Sequence, residues 1–387
     1  MSNISKHIKP SFRAHSLDLA RGSMLFLIIL AHIPLYLYLI EPGVITKVSP
    51  STLLDHIFNI LMELFVDNRA RPLFSILFGY GLVIIFNKQV NRGANNSLKT
   101  VRQIIRKRCW YLIVFGGLLI FLTGSQDILM TYGSAGLLIL YILDKKSVQV
   151  VKITIMITML CTIYIPILWG VFIFENGSYG LNTEISQNDT YLSTLNERLF
   201  TILLNPIFTN ILFPVVPAIL AGIWLGKLNI LFHPEKHQTL LKKLFYIDLL
   251  ISVIGAIPLI LINDVWFPRL FTAGIIYGIH MITGFAGGMS YVALFGLIGN
   301  NIDSNKIITK AITAMGKRSL SFFVLHEVLL VVLLSPVFFN FGAYLTITTS
   351  IIIGTLMWCV TLSLAYFMEK FKTNGSLEML LRQLTYR

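Results

Sequence analysis

Long apolar runs separated by short basic connections set the pattern of this chain. Runs long enough to cross a bilayer cover roughly residues 17–40, 71–88, 109–124, 127–143, 149–174, 206–226, 244–263, 270–299, 318–338 and 343–368. About 20 apolar residues in helical form span a hydrocarbon core. The pattern predicts an all-α polytopic membrane protein, a bundle of about ten transmembrane helices. No polar stretch is long enough for a second domain, so residues 1–387 read as a single integral-membrane domain without internal repeats.

The charged positions orient that bundle. Lys88, Arg92, Lys99, Arg102, Arg106, Lys107 and Arg108 crowd one connection, and Lys145, Lys146 and Lys152 another. Lys227, Lys236, Lys242 and Lys243 follow, then Lys306, Lys310 and Lys317, and Lys370, Lys372, Arg382 and Arg387 come after the last run. With ten spans and both the N-terminus and the C-terminus cytoplasmic, every one of these falls inside, as the positive-inside rule requires. No small-residue cleavage site follows the first run, which is expected to stay as a helix. The two longest connections, 41–70 and 175–205, then lie outside, the second as a polar loop. Residues 51–66 have helical periodicity with Asp55, His56, Asn59 and Glu63 on the polar side, which fits an interfacial helix or a re-entrant lid.

Ionisable groups inside apolar runs are the candidates for chemistry, because each is costly in lipid. Asp18 and Arg21 are helix neighbours, three residues apart. His32 lies eleven residues beyond Arg21, close to three whole turns, so both share a face about 16 Å apart. Arg69 and Arg71 open the second run with forks suited to carboxylate or phosphate, or act as interfacial anchors. Asp127 opens the fourth run, either as an intramembrane partner of Arg71 or His32 or as a helix cap. His326 lies in the ninth run, and Glu327 beside it points about 100° away. Asn263 and Asp264 with Arg269 form a weaker polar group. At least four of Asp18, Arg21, His32, Arg71, Asp127 and His326 are expected to line one polar cavity. In the run 270–299, Gly274/Gly278 and Gly284/Gly288 have the spacing of close helix contacts, with His280 between them. Pro34, Pro214, Pro217 and Pro258 are expected to kink their helices.

Composition narrows the class further. The chain is 55% hydrophobic and 13% charged with a mean hydropathy of +0.76, against about 25% charged in soluble domains. Its net charge of +13 is spread over short loops, so no nucleic-acid partner is expected. Cys109, Cys161 and Cys359 have neither metal spacing nor evident pairing and read as packing residues, and no metal site is expected. P-loop, dinucleotide-binding and nucleophile-elbow motifs are absent.

Two stretches carry a resemblance. Arg13…Ser16-Leu-Asp18-Leu-Ala-Arg21-Gly22…His32 and Gly316-Lys-Arg-Ser319-Leu-Ser-Phe-Phe-Val-Leu-His326 resemble the opening and late helices of the transmembrane acyltransferase superfamily, in its acyltransferase family 3 branch. The Arg71…Leu73-Phe74-Ser75…Leu77-Phe78-Gly79-Tyr80-Gly81 stretch is similar to the YeiB-like family of membrane proteins. So are Arg102…Arg106…Arg108 and Asp127-Ile-Leu…Tyr132-Gly133…Gly136. The likeness covers mainly 13–145 and 306–335. His32 stands where YeiB-like members usually carry Asn, Gln126 where they carry Gly, and His326 where Gln is more frequent.

The resemblance implies a membrane-embedded acyltransferase of the plasma membrane, moving an acyl group, expected to be acetyl, from acyl-CoA as co-substrate to an envelope glycan or lipid acceptor. It implies His32, Asp127 and His326 in the chemistry, Asp18, Arg21, Arg71 and Ser319 in support, and Arg106 and Arg108 on the CoA phosphates. A neutral His can act as general base or carry the acyl group. As a lone His in a polar cavity, His32 is expected to leave no buried charge behind when removed. The alternative reading is a transporter, or an accessory protein of the envelope, with the same polar residues as a relay.

Overall fold

A computed structural model describes residues 15–37, 50–91, 98–125, 127–177, 190–262, 265–299 and 302–386. Arg13, Arg92, Gln126, Asn263, Asp264 and Arg387, and much of the two long connections, lie outside the described residues. The chain is all-α: α1 (His15–His32), α2 (Leu53–Phe65), α3 (Ala70–Val90), α4 (Leu98–Thr123), α5 (Leu129–Leu138), α6 (Ser147–Asn176), α7 (Leu195–Leu212), α8 (Val215–Lys227), α9 (Gln238–Leu261), α10 (Leu270–Gly299), α11 (Ile307–Lys317), α12 (Ser319–Leu334), α13 (Ile347–Lys370) and α14 (Ser376–Tyr386). No strand occurs among the described residues.

All ten apolar runs are largely helical, but fewer meet the length and composition of a full span. Among the described residues six helical stretches do, or seven if α7 and α8 count as one. That pair is bent by 68° around Phe213 and Pro214, where the proline ring cannot continue the preceding helix. Half of α4 consists of the connection expected to be a loop, with Arg102, Arg106, Lys107 and Arg108 in helical register. The run 127–143 makes only the ten residues of α5 and a 3-10 turn, and α12 has sixteen residues. Pro34 behaves as expected, ending α1 in a 3-10 turn over Ile33–Tyr36.

Helix α10 is the central post, packed against α9, α6 and α3. Its glycine pairs divide the work. A Cβ at Gly274 or Gly278 would overlap the backbone of Trp169 or Pro166 on α6, and one at Gly284 or Gly288 would meet Asn68, Pro72 or Leu73 at the start of α3. Helices α3 and α8 touch through Gly79, which faces the Ile219 carbonyl, and Gly222, which faces that of Ile76.

The polar side of helix α2 is divided: Asp55 and Glu63 turn into the protein, while His56 is exposed and Asn59 half-buried. Asp55, Met62 and Glu63 are buried, whereas Leu53, Leu54, Ile57, Ile60, Leu61 and Phe65 are exposed. Asp55 accepts from the Thr348 amide at 2.8 Å and hydroxyl at 2.5 Å, tying α2 to the start of α13. Cys109 and Cys161 are buried as packing residues should be, while Cys359 lies exposed on α13.

Candidate functional site

Burial forces the first pairing. Glu327 is fully buried near the middle of α12, eight residues from its first and seven from its last, or about 12 and 10 Å along the axis. A carboxylate there is tolerated only with a partner. The partner is His32, the last residue of α1, whose Nδ1 lies 2.6 Å from Glu327 Oε1. The carboxylate accepts, so Nδ1 carries a proton; in the neutral ring Nε2 then keeps its lone pair. Glu327 is the residue that sequence reasoning passed over, although an acid inside the run 318–338 met the same criterion as His326.

His32 lines a cavity of about 130 Å3 together with Asp67, Asn68, Arg71, Tyr277 and His280. Arg71 extends over Phe213, its guanidinium carbon 3.8 Å from the ring centroid. Arg69, by contrast, is a strut. It is buried and donates to the carbonyls of Glu63 (2.6 Å), Asp67 (2.5 Å) and Ser252 (2.9 Å) and to Ser252 Oγ (3.0 Å). Its Nη1 also lies 3.2 Å from His280 Nε2, which must accept, because a guanidinium only donates.

A second, larger cavity of about 890 Å3 opens one helical turn further along α3 and α5. Arg21, Lys88, Arg108, Lys317 and Arg382 line it, with Glu378 as the one acid among its described lining residues. Ser319 is at its wall. Helix α14 closes one side, held by Glu378, whose carboxylate accepts from the amides of Leu320 (2.7 Å) and Ser321 (3.2 Å) and from Ser321 Oγ (2.5 Å). This caps the start of α12, where amides lack intrahelical partners. Lys317 and Arg318 pair with Glu369 at 2.6 and 2.8 Å, fastening the same corner to α13.

The two cavities are separated by a thin layer. Arg71 and Ile128 line the smaller, and Phe74 and Tyr132, a turn away on the same helices, line the larger. The Phe74 and Tyr132 rings stack with centroids 4.8 Å apart, and Tyr132 donates to the Arg71 carbonyl at 3.0 Å.

The remaining candidates fall as follows. Arg21 shares α1 with His32 but lines the other cavity. Asp127 accepts from the amides of Leu129 (3.0 Å) and Met130 (2.8 Å), the capping role, and lies within electrostatic reach of His32 and Glu327. His326 lines neither described cavity: its Nε2 is 2.8 Å from Thr361 Oγ1 on α13. Asp18 is buried with its carbonyl against Gly316 of α11. Arg108 lines the basic cavity, whereas Arg106 is exposed away from it. None of the cavities described among these residues holds four of the six groups. His32 and Arg71 share one, and Asp127 stands beside it.

Comparison with known proteins gives kinship without an activity. Residues 225–387 match the family described as "Protein of unknown function (DUF418)". The chain is similar to "Uncharacterized protein YxaH" of Bacillus subtilis (strain 168), 25% identical over 224 residues, which is 53% of this chain and 54% of that one. It is also similar to "Uncharacterized 39.9 kDa protein in amylase 3'region" of Bacillus acidopullulyticus, 32% identical over 139 residues, 35% of this chain and 36% of the relative. The matched stretches thus span about half of the first relative and a third of the second.

Proposed function

We propose that this protein is an acyltransferase of the plasma membrane, moving an acyl group, expected to be acetyl, from acyl-CoA to a hydroxyl or amine of an envelope glycan or lipid. The observation that carries the reading is the His32–Glu327 pair beside a cavity, a base held in one tautomer by a buried carboxylate. In this reading the chain places its N- and C-termini in the cytoplasm, so the basic cavity faces inward and the His32 cavity outward. A volume of about 890 Å3 suits a ligand as large as CoA, and Arg21, Lys88, Arg108, Lys317 and Arg382 suit its phosphates.

The step balances without a further reactant. His32 Nε2 takes the proton of the acceptor hydroxyl as its oxygen attacks the thioester carbonyl. The carbon–sulfur bond then breaks, and the imidazolium returns the proton to the departing thiolate. Glu327 stabilises the imidazolium in between. The Phe74–Tyr132 layer would have to part for the thioester to reach His32.

The test is reconstitution of the full chain in liposomes with radiolabelled acetyl-CoA outside the membrane and an envelope extract as acceptor, with mass spectrometry of the products. Label appearing in a glycan or lipid, and absent with His32→Asn, is expected. Full transfer by His32→Asn would overturn the reading.

A further inference from the structure

We propose that the His32 cavity recognises an anionic group, a phosphate or a carboxylate, on the acceptor, and that Arg71 is the residue that holds it; this rests on the acyltransferase reading only for calling the bound molecule an acceptor. Arg71 carries a charge that no ion pair among the described residues balances. Arg69 and Arg71 stand two residues apart, yet their surroundings are opposite. Arg69 spends its donors on three carbonyls, a serine hydroxyl and His280. The Arg71 guanidinium donates to no described residue; its Nε is buried without a hydrogen-bond partner, and its neighbour is the face of Phe213.

A guanidinium has no neutral form available in a protein, so the half-buried Arg71, its Nε covered and its fork beside a small cavity, favours an anion there. Asp67 lines the same cavity, but no ion pair among the described residues joins it to Arg71. Glu327 gives Oε1 to His32 at 2.6 Å, and neither of its oxygens is joined to Arg71 by an ion pair among the described residues. Arg71 is also immobilised for binding: Phe213 lies against its fork, and its carbonyl is anchored by Tyr132 at 3.0 Å and by Ser75 Oγ at 2.9 Å. A planar fork fixed in this way favours two-point recognition of a carboxylate or phosphate.

Size sets the remaining limit. Whole small-molecule ligands fill roughly 300–1,000 Å3. The His32 cavity, at about 130 Å3, accommodates one small group and leaves the rest of the molecule outside. The anion and the attacking hydroxyl must then lie near each other on the acceptor, because Arg71 and His32 line the same small space.

The test uses the full chain in phosphatidylcholine nanodiscs. Binding is measured for glycerol 3-phosphate, for glucuronate and for phosphatidic acid added to the nanodisc, with glycerol and glucose as uncharged controls. At least one anionic probe is expected to bind about tenfold or more tightly than its control, and Arg71→Met to lose that margin. Arg71→Lys, which keeps the charge and loses the fork, is expected to lie between. Binding of phosphatidic acid alone assigns the anion to a lipid; binding of either soluble probe assigns it to a free or glycan-borne group. If Arg71→Met does not fold, Arg71→Lys carries the test: an unchanged anionic preference in a folded Arg71→Lys counts against the fork, and sulfate competition against wild type shows whether an anion site exists at all. No anionic preference in wild type, or an unchanged preference in a folded Arg71→Met, overturns the proposal. Transfer measured on the same samples separates the two readings. Anion binding through Arg71 without acyl transfer removes the acyltransferase alone, and transfer that is indifferent to Arg71 removes this site alone.

Discussion

His326 and Glu327 are consecutive residues, about 100° apart around α12, that serve different neighbours: His326 reaches Thr361 on α13 at 2.8 Å, and Glu327 reaches His32 on α1 at 2.6 Å. Thr361 Oγ1 donates to the carbonyls of Met357 or Trp358, so it accepts from His326, whose Nδ1 is left buried without a partner. One histidine joins α12 to α13; the carboxylate beside it holds another histidine, at the end of α1.

The variant Glu327→Gln should therefore reduce acyl transfer by about 10²-fold or more, since the amide no longer stabilises the imidazolium. His326→Gln, which can still reach Thr361, should retain most of the activity. Initial rates in liposomes, normalised to folded protein, check both, and equal losses would contradict this division.

Removing His32 strands a buried carboxyl group, where the sequence alone predicts nothing left behind, because Glu327 is fully buried beside it. His32→Ala should lower stability by about 1–3 kcal/mol. His32→Ala/Glu327→Leu should recover part of that loss, since both polar partners are then gone. Thermal unfolding in detergent measures the cycle.

Arg108 and Arg106 should behave differently despite equal charge. Arg108→Gln removes a lining group of the basic cavity and should raise the KM for acetyl-CoA about tenfold with little change in kcat. Arg106→Gln, exposed away from the cavity, should leave both constants near wild type. Saturation kinetics in donor decide the matter.

Cysteines introduced at Leu192 and Leu199, both exposed, should react with a membrane-impermeant maleimide from outside intact cells. A cysteine at exposed Arg106 should react only after permeabilisation. The reverse pattern would invert the proposed orientation.

Much of the fold was readable because lipid imposes a single rule. Each apolar run had to satisfy its own backbone, so the described part of each is mostly helical, while only six or seven stretches have the make-up of a span. Lengths were less readable: the bend at Pro214 and the continuation of α4 through Arg102–Arg108 depend on packing, not hydropathy. The site was half visible. His32 and Arg71 stood out as ionisable groups in apolar surroundings, and they do share a cavity. Glu327 carried the same signal but was weighed only against its neighbour His326. The partition of Arg69 from Arg71 was invisible, because it depends on Ser252 and His280 arriving from α9 and α10.

That last dependence also sets an order of assembly. The side chains that satisfy Arg69 are 183 and 211 residues downstream. When α3 first leaves the ribosome, its most deeply buried cation has neither of them, and hydrocarbon offers no substitute. The α2–α3 corner must therefore wait at the interface or inside the insertion machinery until α9 and α10 have been made. The final packing of this corner is therefore expected only once α9 and α10 are in place, and a chain interrupted before Ser252 should be handed to membrane proteolysis with that corner still open.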